Sequence, residues 1–335
     1  MPERILVTGG AGFIGLALAA ALVERGQEVW LLDDFSRGAR DAAWQALAGN
    51  VRVIAHDLTR PLPAALDAAA FGTVYHLAAR LGVEQVGAHP FATLHDNLAG
   101  VANLLQWARG HRGLRLCFTS TSEVYAEAVR RGLAPLPTPE TAPLVAGDPE
   151  IARSAYAVSK IAGEHLVLQA ARELGLRALV VRYHNVYGPR MGQAHVIPQF
   201  ILRALDRAEP FAVFGVQTRA FCHVDDAVAA TLAAMAVLAD TPLIVNVGDA
   251  REEIRTDELA RRVCRLAGYA PALAVHAAPP GSPERRVPDL ARLHALTGFA
   301  PRVTLAAGLA RTFEWYRAEW EAGGARRPTL AGSAG

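Results

Sequence analysis

Six short apolar runs, separated by longer helix-like segments, limit the architectures open to this chain more than any other feature. RILVTG, EVWLLDD, VRVIAHD, TVYHLAA, LRLCFTS and RALVVRYHN are each nearly continuous in apolar residues, and Ala-rich segments such as GLALAAALVERG lie between them. Strands that are apolar at successive positions are buried on both faces, and their alternation with helices covers a parallel sheet on both sides. The reading is α/β, a Rossmann-like doubly wound parallel sheet. After about Asn185 the alternation loosens, Pro and Gly punctuate more often, and PFAVFG, PLIVNVG and TDELARRVCRLAG suggest a smaller C-terminal α/β substrate-binding lobe. Residues 1–184, with returning segments near 220–248, are expected to form the sheet domain. Residues 185–219 and 249–322 are expected to form the smaller lobe, and 323–335 a disordered tail.

With 335 residues, 52% of them hydrophobic, the chain has enough apolar side chain to fill a large core. Its formal net charge of +2 gives no general electrostatic case for nucleic acid or an anionic membrane surface, so an anion must be caught locally. Cys117, Cys222 and Cys264 are far apart, odd in number and without a C-x-x-C pair, which argues against a disulfide framework and against a metal site. MPERILVTGG enters an apolar strand at once, without a basic leader. The run AVAATLAAMAVLA, Ala227 to Ala239, is too short to span a bilayer and reads as a buried helix. A cytoplasmic protein without a membrane partner is expected.

TGGAGFIG, Thr8 to Gly15, follows the first apolar run, and Gly10, Gly12 and Gly15 satisfy G-x-G-x-x-G. Glycines there allow a tight turn and close approach of backbone to a pyrophosphate, while the helix N-terminus supplies N–H donors. Asp33, ending EVWLLDD, falls where a carboxylate would accept from the adenosine ribose hydroxyls. It would repel a 2′-phosphate, so NAD is expected rather than NADP. Arg37 is near enough to partner such a phosphate, or is a solvated loop residue. Asp57, closing VRVIAHD, contacts the adenine or caps a strand end.

SAYAVSK, Ser154 to Lys160, sets a tyrosine and a lysine four residues apart, on one face of a helix. Spacing alone admits either a helix surface or a phenol with its cation. FTSTSEVYA carries Thr119, Ser120, Thr121, Ser122 and Glu123 just beyond a buried run, where open α/β sheets bind their ligands. A nucleotide loop, a hydroxyl donor, a phenol and a cation thus occur in the order a hydride-transfer site requires.

Over nearly its whole length the chain resembles the extended short-chain dehydrogenase/reductase family, the NAD-dependent nucleotide-sugar epimerases and dehydratases. TGGAGFIG, LLDDFS, HLAA, NLAGVANLL, STSEVY, SAYAVSK, VVRYHNVYGPR and TRAFCHVDDA carry the resemblance. It implies that Tyr156 is the phenolate base for a sugar hydroxyl, its pKa lowered by Lys160 and the nicotinamide. Thr121 aligns with the hydroxyl that bonds the reacting oxygen, with Ser122 and Ser120 as alternates. Cofactor contacts are implied at Gly9, Gly12, Phe13, Ile14, Gly15, Asp33, Ser36, Asp57, Leu58, Leu77, Ala78, Ala79, Tyr156, Lys160 and Tyr183. His76 lies along the dinucleotide or packs within its strand. Substrate contacts are implied at Asn185, Val196, Arg219, Arg285 and Arg286, and no metal is implied.

In this family the sugar is oxidised, usually at carbon 4, and the later steps differ. Hydride returned to the opposite face gives an epimerase, loss of the carbon 5 carboxylate a decarboxylase, and loss of water a dehydratase. Glu123 after Ser122 resembles the dehydratases and decarboxylases, but the Asp preceding that Glu in dTDP-glucose 4,6-dehydratases is here Ser122. QTRAF and PERRVPD resemble UDP-glucuronate decarboxylases, whereas RLGVEQVGAHP lacks their usual loop. Pro280 occupies the place of the family's common arginine, which passes phosphate contacts to Arg285 or Arg286. The expectation is epimerisation of a nucleotide-diphosphate sugar, a UDP-sugar first. The alternative is a decarboxylase or 4,6-dehydratase using Glu123, and the reading from another class is a catalytically silent NAD-binding sensor. The segments Phe91–Arg109 and Tyr156–Leu174 resemble those that pair across a two-fold axis, which implies a homodimer.

Overall fold

The computed structural model describes residues 3–37, 40–278 and 283–323. Pro280 and residues 324–335, within the tail expected to be disordered, lie outside the described residues. The six apolar runs become β1 (Arg4–Thr8), β2 (Glu28–Asp33), β3 (Arg52–Ala55), β4 (Thr73–His76), β5 (Arg115–Thr121) and β6 (Arg177–Tyr183). They are followed by β7 (Val186–Tyr187), β8 (Phe211–Phe214), β9 (Thr218–Ala220), β10 (Cys222–His223), β11 (Leu243–Val247), β12 (Glu253–Arg255), β13 (Leu273–His276) and β14 (Arg285–Arg286). β11 returns to the edge of the main sheet, which has seven parallel strands in the order β11-β6-β5-β4-β1-β2-β3.

Adjacent residues of one strand serve two different cores, which is why the runs are continuously apolar. Val7 and Leu31 pack with the helices Phe13–Glu24 and Val224–Ala236, whereas Leu6 and Leu32 pack with Pro90–Ala108 and Ser154–Leu174. Each such fully buried side chain stabilises the fold by about 1.5–3 kcal/mol. The run from Ala227 forms most of the buried Val224–Ala236 helix. No helix among the described residues is long and apolar enough to cross a membrane. The three cysteines are buried and unpaired with one another.

The chain leaves β1 toward β2 but crosses to the opposite side from β3 to β4, so the connections after β1 and β4 diverge. These neighbours run in register, Thr8 beside His76, and a crevice opens beyond their carboxyl ends. Over that crevice stands a smaller assembly of β8 with β13, and of β12, β9 and β14. The helices Val196–Leu205, Thr256–Leu266 and Leu305–Glu321 share its core with Phe211 and Phe313.

Candidate active site

The phosphate loop is built by close backbone contact. Gly9 has φ +69°, and a Cβ there would lie 2.7 Å from the Ala78 backbone nitrogen. A Cβ on Gly15 would lie 2.1 Å from the Gly9 oxygen. Only glycine permits this approach. Gly12 opens the Phe13–Glu24 helix without a side-chain cap, which leaves the first-turn N–H groups to an anion. Phe13 and Ile14 are partly buried against the core, while Leu77, Ala78 and Ala79 border the loop after β4.

Asp33 accepts from the Ala11 N–H at 2.9 Å and from the Phe35 N–H at 2.8 Å. Burial raises its pKa, against the pull of the Phe35 and Ala11 amides. Its remaining lone pairs suit vicinal ribose hydroxyls, and with the two glycine contacts they make a cradle that fits NAD. Ser36 bonds Asp34 through both its N–H and its hydroxyl. Asp57 is exposed, and the Thr59 N–H and hydroxyl hold its carboxylate below the usual range. Leu58 is buried, and its carbonyl accepts from Asn103. Tyr183 ends β6, and its hydroxyl pairs with that of Thr231 at 2.7 Å inside the core. His76 is packed, its Nδ1 2.8 Å from the Thr8 hydroxyl, and burial followed by the nearby Lys160 charge lowers its pKa to about 3. Arg37 is exposed and donates to the Leu81 carbonyl. Arg190, from the loop after β7, pairs with Asp41 and reaches within 3.5 Å of the Gly12 carbonyl.

Thr121 ends β5, its hydroxyl accepts from the Glu123 N–H at 3.2 Å, and it lies close enough to the Tyr156 phenol to pull that group's pKa down. Tyr156 and Lys160 share the Ser154–Leu174 helix. Lys160 is the only lysine among 335 residues, beside 33 arginines. A chain that uses arginine everywhere else keeps lysine at this one position, a compact ammonium whose pKa burial can shift, unlike that of a guanidinium. The sequence offered this signal, and motif reading alone passes over it. Burial lowers the Lys160 pKa to about 8, with Glu164 opposing. Its Nζ donates to the Thr119 carbonyl at 2.8 Å and lies 6.0 Å from the Tyr156 ring centroid. The expected lowering of the phenol pKa is not a property of the chain by itself. Burial pushes Tyr156 well up, Glu123 adds to this, and Thr121 and Arg37 pull it back only in part.

On the substrate side, Arg286 donates to Glu123 at 2.8 Å. Burial alone would raise the Glu123 pKa, but Arg286, Arg153 and Arg219 outweigh it and hold the carboxyl below its ordinary value. Arg219 is lowered to about 10 by burial and by its neighbour Arg286. Arg153, just before the helix of Tyr156, belongs to this cluster although no motif singled it out. Ser122 is buried in the turn between Thr121 and Glu123, and Ser120 bonds Glu164 rather than the crevice. Asn185 donates to the Ala220 carbonyl at 2.9 Å, and Val196 packs against the smaller lobe's core. Arg285 is turned elsewhere, with both bonds to Glu253 at 2.6 Å. Among the described residues no group of His, Cys, Asp and Glu could hold a metal ion.

By sequence, the chain is 35% identical to the UDP-N-acetyl-alpha-D-glucosaminuronate decarboxylase of Bacillus cytotoxicus, over 95% of this chain and 98% of that protein. It is 32% identical to UDP-glucuronic acid decarboxylase 1 of Xenopus tropicalis, over 95% and 73%. By structure, it is similar to UDP-glucose 4-epimerase of Thermotoga maritima, with 29% identity, TM-score 0.83, and 95% and 100% of the chains covered. UDP-glucuronic acid 4-epimerase of Bacillus cereus gives 25% identity and TM-score 0.83 over 94% and 99%. The model of the NAD dependent epimerase/dehydratase family matches residues 5–248, and the chain belongs to that family.

Proposed function

We propose that the protein is an NAD-dependent decarboxylase of a UDP-hexuronic acid. One observation carries this reading: Glu123 is ionised, paired with Arg286, and set among three guanidiniums beside Tyr156. A simple epimerase has no need of a second carboxylate there, whereas a sugar that brings its own carboxylate meets both an attracting and a repelling charge. The decarboxylases among the sequence relatives support the same reading. Decarboxylation therefore displaces epimerisation as the first choice. Epimerisation is the second reading, favoured by the TM-scores of 0.83 with two 4-epimerases.

When bound, NAD supplies reversible oxidation at a sugar carbon, and the cradle of Gly9, Gly12, Gly15 and Asp33 holds it. Tyr156 takes the proton of the sugar hydroxyl, and the Thr121 hydroxyl bonds the same oxygen. Lys160 supplies the fixed cation behind them. Once that oxygen belongs to a ketone, the carboxylate on the adjacent carbon is β to it. The bond to the carboxylate breaks, carbon dioxide leaves, and its electron pair collects on the oxygen facing Tyr156 and Thr121. Glu123 repels the departing carboxylate, and Arg286 keeps Glu123 ionised and in place. Arg219, Arg153 and Arg286 suit the diphosphate and carboxylate by charge. Asn185 and Val196 border the smaller lobe, which receives the nucleotide. The helices Pro90–Ala108 and Ser154–Leu174 expose Phe91 and Leu166, which supports a homodimer through that face. Mass spectrometry of products from UDP-hexuronic acids and UDP-hexoses tests the function. Loss of carbon dioxide from the acids is expected, and isomers of unchanged mass would overturn it.

A further inference from the structure

Behind Lys160 lies a buried ion pair that none of these roles uses. Glu164 sits one turn further along the same helix, 2% exposed. Its Oε1 accepts from the Ser120 hydroxyl at 2.5 Å and from Arg182 Nε at 2.9 Å, and its Oε2 accepts from Arg182 Nη2 at 2.6 Å. Arg182 on β6 is 3% exposed and also donates to the Tyr125 hydroxyl at 2.6 Å and to the Glu140 carbonyl at 3.0 Å. The same two elements meet twice in succession, since Lys160 donates to the Thr119 carbonyl and the next residue, Ser120, donates to Glu164. Thr121 follows directly.

We propose that Glu164 is a positioning residue for Lys160: with Arg182 as its anchor, it sets the register of the Tyr156 helix on β5 and supplies the negative charge that keeps a buried ammonium protonated. The proposal rests on the catalytic reading of Lys160. Burial of an ion pair is weak evidence of stabilisation, because desolvation offsets most of the attraction. A structural bolt would be served by apolar side chains. Here the charge does what an apolar pair could not. The other groups facing the ammonium offer no substitute: His76 on β4 is buried and neutral, Phe118 on β5 presents its ring at 4.9 Å, and Tyr156 on the same helix is a neutral phenol. Arg182 on β6 is itself a cation and is held against Glu164. Glu164 acts through Lys160 and touches no reacting atom.

The single lysine makes the test direct. In protein grown with isotope-labelled lysine, one side-chain Cε signal reports Lys160 and is titrated by NMR in the NAD-loaded protein. Glu164→Gln is expected to lower the midpoint by about one pH unit, a tenfold loss of proton affinity, and to move the alkaline limb of kcat by the same amount. The double variant Glu164→Gln/Arg182→Met removes both charges, leaves none stranded, and is expected to shift the midpoint in the same direction by less. A folded variant of either kind whose lysine titrates at the wild-type midpoint overturns the proposal. If the midpoint falls but the wild type turns over no UDP-sugar, the catalytic reading fails and the positioning role stands. If the wild type is active and the midpoint is unmoved, the positioning role fails alone.

Discussion

Glu123 and Arg286, 163 residues apart in the chain, meet at 2.8 Å across the junction of the sheet with the smaller lobe. The pair therefore exists only when both lobes are in place, and it sets a carboxylate and its cation beside the phenol. Glu123→Ala and Arg286→Ala are expected to lower kcat by about 10²–10⁴-fold while NAD binding is kept, measured by steady-state kinetics and cofactor titration. Arg285→Ala, which breaks only the surface pair with Glu253, is expected to leave kcat within about twofold.

Tyr156→Phe removes the proton acceptor but neither the phosphate loop nor Asp33. Turnover is expected to fall by about 10³-fold or more with NAD affinity unchanged. A silent sensor would show no such separation, since it has no turnover to lose.

Lys160 gives a pH signature with a definite sign. Its folded pKa is about 8 and its ordinary value 10.5, so as pH rises through about 8 the folded protein gives up this proton while the unfolded chain keeps it. Between those values the unfolded state binds more protons, and this group makes stability rise with pH. Urea unfolding of wild type and Lys160→Met across that window should differ in slope accordingly. Activity moves the opposite way, because the catalytic cation is lost above about pH 8.

Asp41 and Arg190 join the chain after β2 to the loop after β7, and Arg190 also reaches toward Gly12 in the phosphate loop. With side chains only 12% and 9% exposed, the pair is largely shielded from solvent. Asp41→Asn is expected to speed NAD release by about tenfold or more, read by stopped-flow fluorescence after dilution into competitor.

Gly9→Ala places a Cβ 2.7 Å from the Ala78 backbone on a residue with φ +69°. A cost of about 1–3 kcal/mol in urea unfolding is expected, with weakened NAD binding.

What could be read from the sequence was local. G-x-G-x-x-G needs only a turn and a helix start, Asp33 only the end of the next strand, and Tyr156 with Lys160 only one helix turn. Arg285 and Arg286 could not be told apart, because consecutive residues of a strand point to opposite faces and the facing direction depends on which strand β14 joins. Arg153 was illegible for a similar reason: its place beside Glu123 comes from how the Tyr156 helix docks on β5. The partner of the Tyr183 hydroxyl was equally illegible, because Thr231 reaches it from the returning Val224–Ala236 helix.

The central claim is decarboxylation, and the most direct measurement follows the carboxyl carbon. A UDP-hexuronic acid labelled at that carbon is incubated with the NAD-loaded protein and monitored by NMR. Transfer of the label to dissolved carbon dioxide and bicarbonate, with a UDP-pentose left behind, is the predicted result. Label retained in an isomeric UDP-hexuronic acid would contradict it and establish epimerisation.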